Sequence, residues 1–579
     1  MAQTFTRTAV IGVGAVGATL VDLLARAGLP VTAVEADERA LADGRRRVTG
    51  RTADGTEPAG VRWTTRVADA AGADLVIEAV PERLDVKTAV LAEAVGVCGP
   101  DTVFATTTSG HSVTEIASLC GTMTRTVGLP LFPAVPTTAV EVVSTPLTER
   151  AVREAMVELA RRLGHTPVQV ADRPGFIGGA LAMTYLNSAV TMYEQRYASR
   201  EDIDTAMTLG CGLPLGPLAQ LDVMGLDVAR DTLELLYERT GDRAYAPAPL
   251  LSHYVAAGLL GRKAGRGFYD YGPGGVSPAS AVGGPLSGRS GLPARPVRTV
   301  GVVGSGTMGA GIAEVSARAG HPTVLVARSD AKAKGAVLTV ERSLERAVGR
   351  GKVTRQEADA TLGRLVAVSQ LEALDECDLV VEAVVEDLAV KRELFAELGR
   401  ACRPDAVLAS STSGLPIIEC ATATGRPENV VGMHFFNPAP VMRLVEVVRT
   451  ALTSDETAGT AHAAAAAMGK RPVGCADRAG FIVNALLFPY LNRAIGLVEE
   501  QAITPDDVDD VMTGGHGYPM GPLKLLDVVG LDVSLQIQRT LHDTFLDPSL
   551  APARYLEHLV RAGHLGSKSG QGFRVHASR

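Results

Sequence analysis

The stretch VGVVGSGTMGAGI, residues 300–312, places a short apolar strand, a glycine turn and the start of a helix in immediate succession. The stretch VIGVGAVGATL, residues 10–20, has the same pattern. The glycines of these turns are Gly304, Gly306 and Gly309 in the one and Gly12, Gly14 and Gly17 in the other. Matching SG and GFI segments follow in both halves, at Ser109 and Ser413 and at Gly175 and Gly480. A repeat of this extent indicates a full-length tandem duplication, whose halves we name the first copy and the second copy.

Composition sets broad limits on the fold and on the partners. A chain of 579 residues with 46% hydrophobic residues is too long for one core and predicts several domains. The net charge of -8 offers no basic surface for phosphate backbones, and the run RRR at 45–47 is typical of a solvated helix face. Nucleic acid is therefore not an expected partner.

Cysteine usage and hydropathy bear on the compartment. The seven cysteines show no C-x-x-C spacing and no clustering with histidine, which argues against a disulfide framework and against a metal site. The first residues lack a secretory leader, and no uninterrupted apolar run of about 18 residues occurs. We therefore expect a cytoplasmic protein that does not insert into a membrane.

Each copy has two parts. The first part alternates short apolar strands with amphipathic helices, which predicts a parallel sheet covered on both faces, and the second part contains helical patterns only. The predicted fold class is α/β plus all-α, with a doubly wound Rossmann domain followed by a helical domain in each copy. The Gly-, Pro- and Ser-rich stretch between the copies indicates a flexible linker. The predicted segments are two dinucleotide-binding domains at 1–172 and 298–477, helical domains at 173–271 and 478–579, and a linker at 272–297.

The glycine turns predict dinucleotide binding. In G-x-G-x-x-G between a strand and a helix, the backbone can approach a pyrophosphate, whose charge then lies at the helix N-terminus. Flavin proteins and chance loops share this pattern, but the flanking strand and helix favour dinucleotide binding. In the second copy the cofactor-binding residues are Gly304, Gly306, Thr307, Met308 and Gly309.

The residue that ends the second strand predicts which dinucleotide is bound. Glu35 ends this strand in the first copy and can accept hydrogen bonds from ribose hydroxyls, which favours NAD. The second copy has Ala327 at this place and Arg328 directly after it. Without an acid to repel a 2′-phosphate, and with a guanidinium present, the second copy is predicted to prefer NADP. Alternatively, Arg328 is only an exposed charge at a helix start.

The segment VVGMHFFNPAPVMRLVEVVRT, residues 430–450, with STSGLPI before it and DRAGFIVNALL after it, is the most specific part of the chain. It resembles the L-3-hydroxyacyl-CoA dehydrogenase family, and the resemblance extends over almost all of each copy. In that family a serine, a histidine, a glutamate 12 residues after it and an asparagine 50 residues after it converge beside the nicotinamide. The matching residues here are Ser413, His434, Glu446 and Asn484. This resemblance implies NAD(P)-dependent interconversion of 3-hydroxyacyl and 3-oxoacyl thioesters, without a metal.

The types of these residues fit that chemistry. Oxidation of a secondary alcohol removes a hydride from carbon and a proton from oxygen, and an imidazole with a pKa of about 6.5 suits the second task. Glu446 would fix the tautomer of His434 and stabilise its protonated form. Ser413 and Asn484 would hold the substrate oxygens.

The resemblance implies further contacts. Glu386 and Lys391 match positions near the cofactor, although a surface charge pair is an equally good interpretation. Between the glycine turn and the next matched strand, Gly17 precedes Asp74 by 57 positions and Gly309 precedes Asp378 by 69, so the second copy has twelve additional residues there. These resemble a helical arm over the acyl-CoA, with candidate contacts at Ser343, Arg350 and Lys352. Family members dimerise through their helical domains, which implies an intramolecular pseudo-dimer and leaves further homo-oligomers open.

The first copy lacks part of this set. Pro130 stands where the second copy has His434, and Gly179 stands where it has Asn484, whereas Glu141 matches Glu446. The first copy is therefore predicted to be catalytically degenerate while still able to bind NAD. His111, two residues after Ser109, is the only nearby imidazole in the sequence, and its place on the loop differs.

Two other functions stay open at this point. A β-hydroxyacid dehydrogenase would act on free acids through a lysine on the helix that here reads GFIVNALLFPYLNRA, and this segment has no lysine. A non-catalytic dinucleotide sensor would not need the intact quartet of the second copy. The residues do not separate coenzyme A from carrier-protein thioesters, and they leave the acyl chain length and the physiological direction open.

Overall fold

The computed structural model describes residues 4–52, 55–132, 137–272, 292–501 and 503–576. Most of the predicted linker, residues 273–291, lies outside these ranges. Among the described residues, no helix is long and apolar enough to cross a membrane.

Each copy begins with an eight-stranded sheet in which the first, central strand carries the glycine turn. The strand order is β3-β2-β1-β4-β5-β6-β7-β8 in the first sheet and β11-β10-β9-β12-β13-β14-β15-β16 in the second. The strands of the first sheet are β1 Thr8–Ile11, β2 Val31–Val34, β3 Val61–Thr64, β4 Leu75–Glu78, β5 Val103–Thr106, β6 Thr126–Gly128, β7 Ala139–Ser144 and β8 Thr166–Ala171. Those of the second are β9 Val300–Val303, β10 Thr323–Val326, β11 Leu365–Val368, β12 Leu379–Glu382, β13 Val407–Ser410, β14 Val430–Phe435, β15 Leu444–Arg449 and β16 Arg471–Ala476.

The helices of the first copy cover its sheet and then form the helical domain. They are α1 Ala15–Arg26, α2 Glu38–Thr49, α3 Leu84–Val97, α4 Val113–Leu119, α5 Arg150–Arg162, α6 Gly178–Glu194, α7 Arg200–Cys211, α8 Pro217–Met224, α9 Leu226–Thr240 and α10 Pro249–Ala256. Those of the second copy are α11 Thr307–Arg318, α12 Asp330–Gly349, α13 Arg355–Gly363, α14 Leu388–Ala401, α15 Ile417–Ala423, α16 Asp455–Ala467, α17 Val483–Gln501, α18 Pro505–Asp510, α19 Pro522–Val529, α20 Leu531–Phe545 and α21 Arg554–Arg561, with a π-helical turn at Val511–Gly515. Two α/β sheets followed by helical domains confirm the predicted fold class.

The prediction of wholly parallel sheets is wrong at one edge of each. β7 pairs antiparallel to β6, and β15 pairs antiparallel to β14, while β8 and β16 are parallel to their neighbours β7 and β15. The apolar runs of these strands resemble those of the parallel strands, so their composition does not disclose the direction. The reversal matters because it brings β14 and β15 into direct antiparallel register at His434 and Glu446.

The additional residues of the second copy extend its second helix and add another. α2 ends after 12 residues, whereas α12 has 20 residues and is followed by α13. Ala310, Val340 and Leu344 are buried in a small apolar cluster that joins α12 to α11. The extra length therefore forms a packed helical pair and not a loose loop.

The two copies contact each other through their helical domains. α6 packs along α17, and the rings of Tyr185 and Tyr490, which stand at matching places in the two copies, lie 6.2 Å apart. α7 of the first copy packs on β15 and β16, and the turn after α18 of the second copy packs on β7. Each helical domain thus reaches the sheet of the other copy.

Candidate active site

His434 and Glu446 form a buried pair on neighbouring strands. Because they are direct partners in the antiparallel register of β14 and β15, their side chains lie on the same face of the sheet. Nδ1 of His434 lies 2.6 Å from Oε2 of Glu446. Their relative exposures are 6% and 0%, so the contact is shielded from water. A carboxylate at Nδ1 leaves Nε2 as the ring nitrogen that can exchange a proton.

The second carboxylate oxygen of Glu446 is fixed by the start of α17. Oε1 accepts hydrogen bonds of 2.9 Å from the backbone N–H groups of Ile482 and Val483. These groups have no partner within their own helix, because the first turn of a helix leaves its N–H groups free. The carboxylate is thereby held in one orientation, with its other oxygen directed at His434.

Ser413 and Asn484 lie together, as the sequence predicted. The side-chain amide of Asn484 donates a hydrogen bond of 3.1 Å to the backbone carbonyl of Ser413. Glu386 accepts from the backbone N–H of Ser413 at 2.9 Å and from its hydroxyl at 3.0 Å, and it also accepts from the hydroxyl of Thr412 at 2.6 Å. The loop after β13 is thus tied to the loop after β12, at the end of the sheet where the glycine turn lies.

Lys391 does not belong to a surface charge pair. It is 1% exposed, and its Nζ lies 2.6 Å from Oε1 of the fully buried Glu382 and 3.5 Å from Oε2 of Glu386. Burial opposes ionisation of Glu386, but Lys391 and the donors of Thr412 and Ser413 hold the pKa of its carboxyl below the usual value. The ammonium group therefore joins two carboxylates, one at the end of β12 and one in the loop that follows.

In each glycine turn the third glycine lies directly against the backbone of the first. A Cβ at Gly309 would lie 2.0 Å from the carbonyl oxygen of Gly304, and one at Gly17 would lie 1.8 Å from that of Gly12. In the first copy, Glu35 accepts a hydrogen bond of 2.5 Å from the N–H of Val13 and so lies against its turn. These contacts leave no room for a side chain at the third glycine of either turn.

The other predicted contacts of the second copy lie away from His434. Arg328 is exposed just before α12 and forms no hydrogen bond or ion pair within the described ranges, while Ala327 is buried. Arg350 and Lys352 are exposed beyond the end of α12. Ser343 is half-buried on this helix, where its hydrogen bond to Glu314 works against the rise in the pKa of that carboxyl that burial causes.

The first copy keeps the network but not the imidazole of its own strand. Glu82 accepts from Thr108 at 2.5 Å and from the N–H of Ser109 at 2.9 Å, and Lys87 lies 3.1 Å from it. Glu141 accepts from the N–H groups of Ile177 and Gly178 at 2.8 and 3.3 Å, as Glu446 does at the matching positions. Burial raises the pKa of Glu141 to about 7, although both N–H groups oppose the rise.

Two histidines lie near this part of the first copy, not one. His111 is 9% exposed, and neither ring nitrogen has a hydrogen-bond partner among the described residues; it lines a cavity beside Glu82. His516, which belongs to the second copy, stacks on Phe132 with ring centroids 4.7 Å apart. The sequence did not identify His516 because it lies in the other copy. In the structure, a Cβ placed on Gly514 would lie 2.6 Å from Cβ of Ala139, so the turn before His516 packs closely on the first sheet. In the sequence, the GG pair at 514–515 is the sign of this close contact.

Comparisons with known proteins give the same division of the chain. The sequence profile described as 3-hydroxyacyl-CoA dehydrogenase, NAD binding domain, matches residues 7–173 and 299–478. The profile described as 3-hydroxyacyl-CoA dehydrogenase, C-terminal domain, matches residues 175–271 and 480–576. Each profile thus occurs once per copy, which confirms the tandem duplication.

Individual relatives cover one copy or the whole chain. A 3-hydroxybutyryl-CoA dehydrogenase of Mycobacterium tuberculosis is 50% identical over 279 residues, which are 48% of this chain and 98% of that protein. The mitochondrial hydroxyacyl-coenzyme A dehydrogenase of Homo sapiens is 41% identical over 284 residues, which are 48% of this chain and 90% of that protein. The crystal structure of 3-hydroxybutyryl-CoA dehydrogenase from Escherichia coli K12 covers 97% of this chain and all of that chain, with a TM-score of 0.66 and 23% identity, which shows a shared fold. Because the two family profiles together match nearly all of the sequence, this chain belongs to the 3-hydroxyacyl-CoA dehydrogenase family of NAD-dependent enzymes.

Proposed function

We propose that the second copy transfers a hydride between a nicotinamide dinucleotide and C3 of a 3-hydroxyacyl or 3-oxoacyl thioester. The observation that carries this proposal is the buried contact of 2.6 Å between His434 and Glu446, beside the Ser413–Asn484 pair. A lone buried histidine is commonly a structural residue, but a histidine oriented by a carboxylate next to two further polar groups is a proton-transfer site.

The protein's part in the reaction is to move one proton and to hold the substrate. The dinucleotide, when bound at the glycine turn, accepts or donates the hydride. Nε2 of His434 takes the proton of the 3-hydroxyl in the oxidation and returns it in the reduction. Glu446 stabilises the imidazolium that forms, while Ser413 and Asn484 orient the 3-oxygen and the thioester carbonyl. Glu386 positions Ser413 through its two hydrogen bonds.

The family and the helical pair α12–α13 support a coenzyme A thioester as the substrate. Arg350 and Lys352 are exposed and unpaired within the described ranges, so both are available to phosphates. The direct test is steady-state oxidation of 3-hydroxybutyryl-CoA and reduction of acetoacetyl-CoA, each with NAD(H) and with NADP(H). Absence of turnover with all four combinations would contradict the proposal.

We also propose that the second copy prefers NADP(H), while the first copy holds NAD through Glu35. Support comes from the exposed, unpaired guanidinium of Arg328 and from the neutral, buried Ala327 before it. The Glu35 carboxylate lies against its own turn, where a 2′-phosphate would be repelled.

Arg328→Ala is expected to weaken NADP(H) binding by roughly 10- to 150-fold and to change NAD(H) binding little. The reason is that a charge-assisted hydrogen bond contributes about 1.5–3 kcal/mol. Titration of the fluorescence of bound NADPH and NADH measures both affinities. Ala327→Asp should move the preference toward NADH, and Arg554→Ala, an exposed arginine on α21, serves as the control. Equal affinities of the unmodified chain for both cofactors in the second copy would exclude the preference.

We further propose that the copies form a permanent intramolecular pseudo-dimer. In a twofold interface a residue near the axis meets its own equivalent, and Tyr185 and Tyr490 do this across α6 and α17. Arg493 adds an ion pair of 2.8 Å to Asp242 of the first copy. All seven cysteines are free thiols, which supports a reducing compartment such as the cytoplasm.

Tyr490→Asp is expected to lower the free energy of unfolding of both copies, by an amount on the order of 3–5 kcal/mol, because it buries an unpaired charge at their shared interface. Tyr490 is 5% exposed. Calorimetry should show a lower midpoint and two separate transitions in place of one. Tyr237→Asp, at a position that is 40% exposed, should leave the midpoint nearly unchanged. If both variants behaved alike, the interface would not couple the two copies.

A further inference from the structure

His516 enters the first copy from the helical domain of the second. It follows the π-helical turn Val511–Gly515, which lies against the beginning of β7. The N–H of Thr138 donates a hydrogen bond of 2.7 Å to the carbonyl of Gly514, which anchors this turn to the first sheet. His516 is 8% exposed, and its Nδ1 has no hydrogen-bond partner among the described residues. A buried imidazole with an unpartnered Nδ1 is thus held against the sheet that carries Glu141.

Like His434, this imidazole lies against a phenylalanine ring near a buried glutamate, but no hydrogen bond joins it to that glutamate among the described residues. His434 lies 4.5 Å from the ring of Phe436, and His516 lies 4.7 Å from the ring of Phe132, which occupies the matching place in the first copy. A Cβ placed on Gly178 would lie 2.2 Å from Nε2 of His516 and 3.1 Å from Oε2 of Glu141. The ring therefore adjoins the carboxylate that is left without a histidine by Pro130.

The opposite interface is filled differently. Cys211 stands in the first copy where His516 stands in the second, and it is half-buried near Glu446; burial and the charge of Glu446 raise the pKa of its thiol to about 12. Val483 has the place of Gly178, and its side chain packs against Gly210. The imidazole, and the glycine that makes room for it, thus occur only beside the carboxylate whose own strand lacks a histidine.

We propose that the first copy contains a second proton-transfer site, assembled from both copies, in which His516 and Glu141 replace the missing histidine–glutamate pair. NAD⁺, which Gly12, Gly14, Gly17 and Glu35 would hold, would supply the hydride acceptor for C3 of the alcohol. In that oxidation to a ketone, Nε2 of His516 takes the hydroxyl proton, and Glu141 balances the charge of the imidazolium until the proton returns to water. Glu82, Lys87, Thr108 and the backbone N–H of Ser109 keep the arrangement found around Ser413.

Burial moves both groups toward their neutral forms, because it raises the pKa of Glu141 to about 7 and lowers that of His516 to about 4. At neutral pH the imidazole is therefore unprotonated, as a general base must be. The carboxylate form of Glu141 remains accessible to balance an imidazolium.

The substrate of this site should lack the phosphates of coenzyme A. The first copy has no counterpart of α13 among its described residues, and a cavity of about 590 Å³ with an acidic lining lies beside Glu82 and His111, although Glu141 and His516 do not line it. The acidic residues of this lining are Glu82, Asp85, Asp231, Glu234 and Glu238, against one arginine, Arg83. Polyanionic coenzyme A is repelled there, whereas a short 3-hydroxyacyl thioester without the nucleotide is not.

The test uses the full chain with His434→Ala, so that the second copy is silenced. Acetoacetyl N-acetylcysteamine thioester with NADH should still be reduced, and adding His516→Ala or Glu141→Gln should lower this residual rate at least tenfold. Gly178→Val should act likewise, because its side chain takes the space of the imidazole. Residual turnover that survives His516→Ala, or no residual turnover above buffer, would overturn the inference.

Different outcomes contradict the cross-copy site and the function proposed for the second copy, on which it rests. If the unmodified chain does not turn over acetoacetyl-CoA, the function proposed for the second copy is wrong. If it does, but the residual rate of the His434→Ala chain does not depend on His516, the cross-copy site is wrong. A readout without turnover uses selectively ¹⁵N-labelled histidine in the unmodified chain, assigned with His516→Gln. The His516 signals should shift when NAD⁺ and the 3-hydroxybutyryl N-acetylcysteamine thioester are added, and unchanged signals would exclude contact with the site.

Discussion

Replacing His434 with alanine or glutamine is expected to lower turnover of acetoacetyl-CoA about 10²- to 10⁴-fold, which is the usual contribution of general acid–base catalysis. Cofactor affinity should stay near that of the unmodified chain, because His434 contacts Glu446 and two aromatic rings and not the glycine turn. Stopped-flow and steady-state rates with a parallel NADPH titration measure both quantities.

A second variant separates proton transfer from packing. Glu446→Gln keeps the shape of the side chain but removes the charge that stabilises the imidazolium, so it should lower the rate and displace the pH–rate profile. His542→Ala, at a half-buried position of α20, is the control and should leave rate and profile unchanged. Wild-type turnover by either His434 variant would show that the proton takes another path.

The sequence predicts best those parts of the site whose residues belong to one copy and lie close together in the chain. A spacing of twelve between His434 and Glu446 fits two adjacent antiparallel strands joined by a loop, and the structure has this arrangement. The burial of Lys391 was not predictable, because the segment EDLAVK looks like a polar helix start. Its partner, Glu382, is the last residue of an apolar strand, where a charge is unexpected without a counter-ion.

The composition of β15 does not show its direction, and the position of His516 depends on contacts that no local pattern contains. Strand composition records burial and not direction, so parallel and antiparallel edge strands look alike. His516 comes from one copy and serves the sheet of the other, and such an approach depends on how two helical domains pack. The residues of the first copy alone therefore suggest a site without an imidazole, whereas His516 of the second copy lies near Glu141.

Gly309→Ala and Gly17→Ala are expected to remove cofactor binding from the second and the first copy, respectively. The new Cβ would lie 2.0 Å from the carbonyl oxygen of Gly304 in the one and 1.8 Å from that of Gly12 in the other, so the turn must move by about an ångström. A displacement of this size costs about a hundredfold in rate when it misplaces a reacting group. Gly309→Ala should therefore abolish nearly all turnover of acetoacetyl-CoA, and Gly17→Ala should abolish little of it.

The chain provides a reporter that shows which copy has lost its cofactor. Trp63 is the only tryptophan in the sequence, and it lies on β3, beside the strand that leads to Glu35. Energy transfer from Trp63 to bound NADH should disappear in Gly17→Ala and persist in Gly309→Ala, because only the first turn lies near this ring. The opposite distribution of turnover, with Gly17→Ala inactive and Gly309→Ala active, would assign the main reaction to the first copy and to the pair of His516 and Glu141.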